Sequence, residues 1–85
     1  MALYSINFNK KAKKQLDKMS DVIVMPILDA IENLAENPRP KGYKKLKGRT
    51  GYRIRVGNYR IIYEIFDDIL LIDVIDLGHR KDIYE

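Results

Sequence analysis

The sequence contains no cysteine and a single histidine, His79. Without thiolates the chain can form neither disulfides nor cysteine-ligated metal sites, and one histidine argues against a zinc site built from protein ligands alone. No apolar run approaches the roughly 20 residues that a membrane-spanning helix needs, and the N-terminal stretch MALYSINFNKK lacks the apolar centre of a signal peptide. We therefore expect a cytoplasmic protein with no cofactor, no metal and no membrane association.

Acidic residues are missing from the middle of the chain, although the net charge is only +4. Residues 37–63 carry nine lysines or arginines and no acid, whereas residues 1–36 carry five lysines and five acids, and residues 64–85 carry seven acids against two basic residues. A basic block of this density is typical of proteins that bind phosphate backbones. Charge alone favours that interpretation and a solvated basic loop about equally.

Hydrophobic periodicity predicts one strand and then two helices in the first half of the chain. The alternation in ALYSINF predicts a strand, and Asn9 is the expected N-cap of a short amphipathic helix over KKAKKQLDKM. A second helix, over VIVMPILDAIENLAEN, is expected to begin near Val22 or later, so that Pro26 falls within its first turn. Asn37 ends this helix, because the residue before a proline avoids helical geometry.

The second half of the chain predicts a loop followed by three strands. The segment PRPKGYKKLKGRTG has two prolines, three glycines and six basic residues, and is therefore expected to be an exposed basic loop. YRIRV and YRIIYEI follow as strands, and the apolar run ILLIDVIDL is typical of a central strand. The order β-α-α-β-β-β predicts a single α+β domain over residues 1–85, with a helical hairpin on one face of a mainly antiparallel sheet that ends in a three-stranded meander.

The stretch YRIRVGNYRIIYEI predicts a β-hairpin with a two-residue type II′ turn that begins at Gly57. In that register Arg55 faces Arg60 across the hairpin, at a cost of about 0.2–1 kcal/mol for opposed like charges. One face of the hairpin then carries Tyr52, Ile54, Val56, Tyr59, Ile61, Tyr63 and Ile65, and the other carries Arg53, Arg55, Arg60, Ile62 and Glu64. Because the planar fork of arginine suits phosphate, we interpret the arginines as an anion site, the alternative being a solvated face on which Glu64 pairs with Arg60.

The segment GHRKDIY follows the last strand and brings more polar groups to the end of the sheet. His79, Arg80 and Tyr84 are expected to join the hairpin arginines at one sheet surface. That combination offers a group that titrates near neutrality, a further phosphate ligand and a ring on which a base can stack.

Four segments, KKLKG, YRIRVGNYRIIYEI, DD and LLIDVIDLGHRKDIY, together resemble the RelE toxins of the RelE/ParE superfamily of prokaryotic toxin–antitoxin systems. The resemblance implies a ribosome-dependent endoribonuclease that cuts messenger RNA in the vacant A site and so inhibits translation. It implies metal-independent attack by the ribose 2′-hydroxyl on the adjacent phosphate, which leaves a 2′,3′-cyclic phosphate and a 5′-hydroxyl. It also implies a RelB-like antitoxin partner and a toxin–antitoxin hetero-oligomer.

The same resemblance suggests roles for individual residues. Arg60 and Arg80 match phosphate-binding arginines, Tyr84 matches a tyrosine that stacks on a messenger base and takes part in proton transfer, and His79 occupies a position that is basic in the family. The basic loop is expected to meet ribosomal RNA phosphates through Lys41, Lys44, Lys45, Lys47 and Arg49.

Two arginines depart from the family pattern. Arg53 and Arg55 stand where the best-known members have lysines, and arginine stays protonated in proteins. We therefore expect both to act as electrostatic stabilisers. The general base is left open between Tyr84, His79 and, if it lies near enough to the arginines, Glu64.

Three other functions fit parts of the sequence. A ParE-like toxin that poisons DNA gyrase shares the fold, but the set Arg53, Arg55, Arg60, Arg80 and Tyr84 argues against it. The loss of both lysines leaves open an inactive relative that only binds antitoxin. A general RNA-binding domain would interleave aromatic residues with the arginines, whereas the aromatics here fall on the opposite face of the hairpin.

Overall fold

Two helices and five strands make up the fold in a computed structural model that describes residues 3–79. In chain order they are β1 (Ser5–Phe8), α1 (Lys10–Asp17), α2 (Asp21–Glu36), β2 (Lys44–Lys45), β3 (Tyr52–Val56), β4 (Tyr59–Phe66) and β5 (Leu71–His79). The strands form one sheet in the order β1-β5-β4-β3-β2. Strands β1 and β5 are parallel and the other neighbouring pairs are antiparallel. The predicted α+β fold with a β3–β4–β5 meander is confirmed, and the two-residue strand β2 is an addition that the sequence pattern misses.

The main core lies between the two helices and one face of the sheet. The helices contribute fully buried Ala12, Ile27, Ile31 and Leu34, and the strands contribute Ile54, Ile61, Tyr63, Ile72, Val74 and Leu77. The apolar side of β1 packs against this cluster, as the alternation in its sequence predicts. Full burial of one isoleucine or leucine contributes about 1.5–3 kcal/mol, so this layer is the main source of stability.

Helix α1 is fixed to the sheet by two side chains that bond to the backbone of β5. The N-cap Asn9 accepts a hydrogen bond from the Ala12 amide through Oδ1 at 2.8 Å and donates one through Nδ2 to the Ile75 carbonyl at 3.1 Å. Gln15 Oε1 accepts from the Leu77 amide at 2.9 Å. Because β1 pairs with β5 only as far as Val74, these bonds satisfy backbone groups along the part of the β5 edge that β1 does not reach.

Helix α2 begins earlier than the sequence predicts. Its first residue is Asp21, so Pro26 is the sixth residue rather than part of the first turn. The Ser20 carbonyl accepts from the amides of Ile23 and Val24 at 3.0 and 2.9 Å, which starts the helix. Pro26 has no N–H to donate to the Val22 carbonyl one turn before it, but Val22 is 85% exposed, so water can satisfy that carbonyl.

Tyr63 joins the core to the segment that follows α2. Its ring is fully buried, its hydroxyl donates to the Pro38 carbonyl at 2.7 Å, and burial raises its pKa. We expect Tyr63→Phe to lower the free energy of unfolding by about 1–3 kcal/mol, because a buried carbonyl loses its donor. Urea denaturation measures this, with Tyr43→Phe as the control because Tyr43 is 37% exposed. Equal stability of the two variants would contradict this role for the hydroxyl.

An exposed cluster connects the β4–β5 turn to the chain on either side of the helices. Asp67 accepts hydrogen bonds from Arg39 Nη2 at 2.9 Å and from the Tyr4 hydroxyl at 2.6 Å. The bond from Arg39 is the larger cause, and the bond from Tyr4 the second, of a pKa of Asp67 below its usual value.

Because the pKa of Asp67 is lowered, the stability that this carboxylate contributes should decrease as the pH falls. A carboxylate with a lowered folded-state pKa stabilises the fold above its unfolded pKa, and that stabilisation is lost as the pH falls below about 4. Asp67→Asn should therefore be less stable than wild type at pH 6, and this deficit should shrink as the pH approaches 3. Urea midpoints across this pH range measure the difference, and a constant deficit would count against the ion pair.

Candidate phosphate-binding site

The hairpin between β3 and β4 has the register that the sequence predicts. Val56 pairs with Tyr59, Arg55 with Arg60, and Arg53 with Ile62. Gly57 has a φ of 58°, which the first position of a type II′ turn requires and which glycine adopts without steric strain. The opposed arginines are therefore a feature of the fold.

Arg55 and Arg60 lie side by side on the sheet face that points away from the helices. The next residue across the sheet from Arg60 is Gly78 of β5, which adds no side chain to this row. Arg55 is exposed and Arg60 is partly buried. Two guanidinium groups next to a glycine form a positively charged surface, and a phosphate can accept several hydrogen bonds there. We call Arg55, Arg60 and Gly78 the arginine row.

Arg53 lies on the same face but is only 2% exposed. The cause is the segment PRPKGYKKLKGRTG, residues 38–51, which we call the basic segment. It turns back over this part of the sheet: Lys44 of β2 pairs with Arg53, and Leu46 packs on Ile62 and Ile75 in a second small apolar cluster. Ile62 needs apolar cover, and Leu46 supplies it. Arg53 is thus a buried charge beside the arginine row rather than part of its open surface, contrary to the expectation from the hairpin alone.

A groove of about 470 Å³ runs along the edge of β3, between that strand, the start of the basic segment and α2. Its cationic residues are Lys41, Lys44, Arg53 and Arg55, and α2 contributes Ala30 and Asn33. Among the residues from 3 to 79 that line it there is no carboxylate. We call it the β3-edge groove. It shares Arg55 with the arginine row, so the two form one continuous basic surface.

The basic residues expected to contact RNA are all exposed, as RNA contact requires. Lys44 and Lys45 form β2 and are held next to the hairpin by pairing with β3. The whole set is Lys41, Lys44, Lys45, Lys47 and Arg49. The pairing therefore places the positive charges of Lys44 and Lys45 along the edge of β3.

His79 does not reach the arginine row. It pairs with Tyr59, and the two rings meet edge to face with centroids 5.5 Å apart, on the side of the sheet that faces the helices. The cause is a β-bulge: Ile62 pairs with Asp76, but Tyr63 pairs with Val74, so Ile75 is an extra residue in β5. One extra residue exchanges the two faces for everything beyond it, which places Leu77 in the core and turns His79 away from the arginines.

Glu64 is also remote from the arginine row. It accepts a hydrogen bond from the Thr50 hydroxyl at 3.1 Å and lies opposite Asp73. It lies four positions along β4 from Arg60, which is about 13 Å of extended strand. Glu64 therefore does not lie near enough to the arginines to act as the general base.

Arg80 and Tyr84 lie outside the described residues, so their expected roles stay predictions. Within residues 3–79 no group of three histidine, aspartate or glutamate side chains could hold a metal ion. In the same part of the chain, neither helix is long and apolar enough to cross a membrane.

Comparison with known proteins gives consistent matches over nearly the whole chain. The family model described as "ParE toxin of type II toxin-antitoxin system, parDE" matches residues 6–84. The toxin RelG of Mycobacterium tuberculosis is 28% identical over 95% of both chains. The mRNA interferase toxin RelE of Escherichia coli K12 is 25% identical over 92% of this chain and 84% of that protein. In the crystal structure of the archaeal RelE–RelB complex from Pyrococcus horikoshii, one chain superposes with a TM-score of 0.82 at 25% identity, covering 95% of this chain and 99% of that chain.

Proposed function

Because this chain belongs to the ParE toxin family of type II toxin–antitoxin systems and is a RelE-type toxin, we propose that it is an endoribonuclease that cleaves messenger RNA in the ribosomal A site. The observation that carries this proposal is the arginine row, in which Arg55 and Arg60 face each other beside Gly78. The name of the E. coli relative, an mRNA interferase toxin, supports the same reaction class.

In the proposed reaction, the ribose 2′-oxygen attacks the adjacent phosphorus while the bond from phosphorus to the 5′-oxygen breaks. The proton of the 2′-hydroxyl leaves to a base, and the 5′-oxygen gains a proton. The products are a 2′,3′-cyclic phosphate and a 5′-hydroxyl. Negative charge grows on the non-bridging phosphate oxygens in the transition state, so fixed donors aimed at those oxygens accelerate the reaction.

Arg55 and Arg60 are the proposed donors to these oxygens, and Arg80 is the proposed third phosphate ligand. Arg53, which is buried beside them, contributes its charge without contacting the cleaved phosphate. We keep Tyr84 as the proposed stacking and proton-transfer residue, because His79 and Glu64 lie away from the arginine row. The reaction in this account requires no metal ion.

The proposed partners are the ribosome, the messenger in its A site, and a RelB-like antitoxin. The exposed basic segment meets ribosomal RNA phosphates through its lysines. The antitoxin is supported by the solved complexes, in which RelE relatives assemble with RelB. In this proposal the antitoxin restrains the toxin by covering its basic surface, as acidic or polar groups of a partner can do.

A gyrase-poisoning toxin is the second candidate, because the matching family is described as the ParE toxin. Such a toxin needs no site for phosphodiester cleavage, whereas the opposed Arg55 and Arg60 are the arrangement that we propose for such a site. The charge arrangement therefore favours RNA cleavage. An inactive relative that only binds antitoxin is the third possible outcome of the same experiment.

Cleavage of a defined messenger on purified ribosomes with an empty A site tests the proposal. We expect cutting by wild type only when ribosomes are present, and none above background by Arg80→Ala, with messenger alone as the control for contaminating nuclease. Absence of cutting by folded wild-type protein would sink the proposal, and inhibition of gyrase supercoiling would then support the second candidate.

A further inference from the structure

The β3-edge groove suggests a more detailed account of the substrate, which rests on the proposed function. We infer that this groove holds one nucleotide of the messenger next to the cleaved phosphate, and that Asn33 of α2 reads its base. Asn33 is then a specificity-determining residue, not part of the arginine row.

The electrostatics of the groove select an anionic ligand. Lys41, Lys44 and Arg55 line it, and Lys41 and Lys44 are exposed where a phosphate can reach them. Helix α2 carries four acids, Asp21, Asp29, Glu32 and Glu36. None of the four lines the groove, to which α2 presents only uncharged residues. Among the described residues that line the groove, a nucleotide would therefore meet no carboxylate.

The size and lining of the groove fit one nucleotide. Its volume of about 470 Å³ falls within the about 300–1,000 Å³ that is usual for small-ligand sites. Ala30, Pro40 and Ile54 form its apolar part, against which a base or ribose can pack. The cationic side chains come from the basic segment and β3, not from α2. The phosphate and the base of one nucleotide would therefore contact different parts of the groove.

Asn33 supplies the polar group that a base edge requires. Its backbone carbonyl accepts from the Asn37 amide at 3.0 Å, and its side chain is exposed at the groove. A side-chain amide carries both a donor and an acceptor, and such a pair recognises the edge of an unstacked base through two hydrogen bonds.

The position of Arg55 connects this nucleotide to the chemistry. Arg55 lines the groove and also faces Arg60. A messenger whose cleaved phosphate lies on the arginine row therefore has a neighbouring nucleotide at the groove. A preference for one base at one codon position follows from this arrangement.

The experiment is cleavage of a messenger library that carries every codon in the ribosomal A site, read by sequencing the cut ends. The variants are Asn33→Ala and, as a control, Asp29→Ala, which truncates an exposed residue of the same helix outside the groove. We expect Asn33→Ala to lose the preference at one codon position by about 5- to 100-fold, the discrimination that a two-bond contact to a base gives. Cleavage at the other positions should keep its pattern, and Asp29→Ala should match wild type.

The outcomes separate this inference from the proposed function. If wild type does not cut on ribosomes, the proposed function fails. If wild type cuts and Asn33→Ala has the same codon profile, or is slower at every codon by one factor, only the role of Asn33 is refuted. If Asn33→Ala leaves the profile unchanged but weakens antitoxin binding, the groove holds the partner protein instead of RNA.

Discussion

Replacing Arg60 with alanine is expected to slow ribosome-dependent cleavage by about 10²–10³-fold, the usual cost of removing one preorganised donor from an oxyanion site. Arg60 lies on the central strand β4, between Arg55 and Gly78, so its guanidinium is held by the sheet rather than by a loop. We expect Arg55→Ala to have an effect of the same order. Single-turnover cleavage at saturating toxin measures the chemical step alone.

Two control variants show whether geometry or charge causes the loss. Arg60→Lys keeps the charge but not the planar fork, and we expect it to restore only part of the rate. Lys10→Ala removes one positive charge from the exposed surface of α1 and should leave the rate unchanged. Wild-type rates in both Arg55→Ala and Arg60→Ala would show that the arginine row is not the catalytic site.

Neutralising the basic segment is expected to weaken binding to ribosomes without changing the chemical step at saturation. Each phosphate contact contributes about 0.7–0.9 to the slope of log affinity against log salt. For the triple variant Lys44→Gln, Lys45→Gln and Lys47→Gln the slope should fall by about 2–3. Between 50 and 200 mM salt, wild type should therefore lose about 20- to 40-fold more affinity than the variant. Binding measured across this salt range provides the test.

The matched control removes three charges from α1 through Lys10→Gln, Lys13→Gln and Lys14→Gln. These lysines are also exposed, but they lie on a helix that packs against the other face of the sheet. We expect this variant to keep most of the wild-type salt slope. Equal losses in the two triple variants would mean that net charge, and not the position of the basic segment, determines binding.

The hairpin could be predicted residue by residue because its information is local. Strict alternation over YRIRV and YRIIYEI assigns each side chain to a face, and Gly57 fixes the turn and hence the register. Every predicted pair from Tyr52–Tyr63 to Val56–Tyr59 is present. The N-cap at Asn9 and the end of α2 were likewise set by neighbouring residues.

The features that could not be predicted depend on contacts between distant segments. Arg53 is buried because Leu46 and β2 lie over that part of the sheet. The only hint of this contact in the sequence is that Leu46 is the one aliphatic residue in the basic segment. His79 is on the helix side because of the bulge at Ile75. An apolar run such as ILLIDVIDL has no alternation that would reveal an extra residue.

The candidate site is therefore not the one flat row of arginines that the sequence suggests. The arginine row is confined to Arg55, Arg60 and the bare backbone at Gly78, and the β3-edge groove extends it toward α2. In our proposal that geometry separates phosphate chemistry from base recognition, and the variants Arg60→Ala and Asn33→Ala test the two roles one at a time.

The most direct measurement is chemical identification of the ends produced when wild-type protein acts on a messenger bound to ribosomes with an empty A site. Our account predicts one cut within the A-site codon, a 2′,3′-cyclic phosphate on the upstream fragment and a 5′-hydroxyl on the downstream fragment. No cut, or a cut that leaves a 5′-phosphate, would contradict attack by the 2′-hydroxyl at the arginine row.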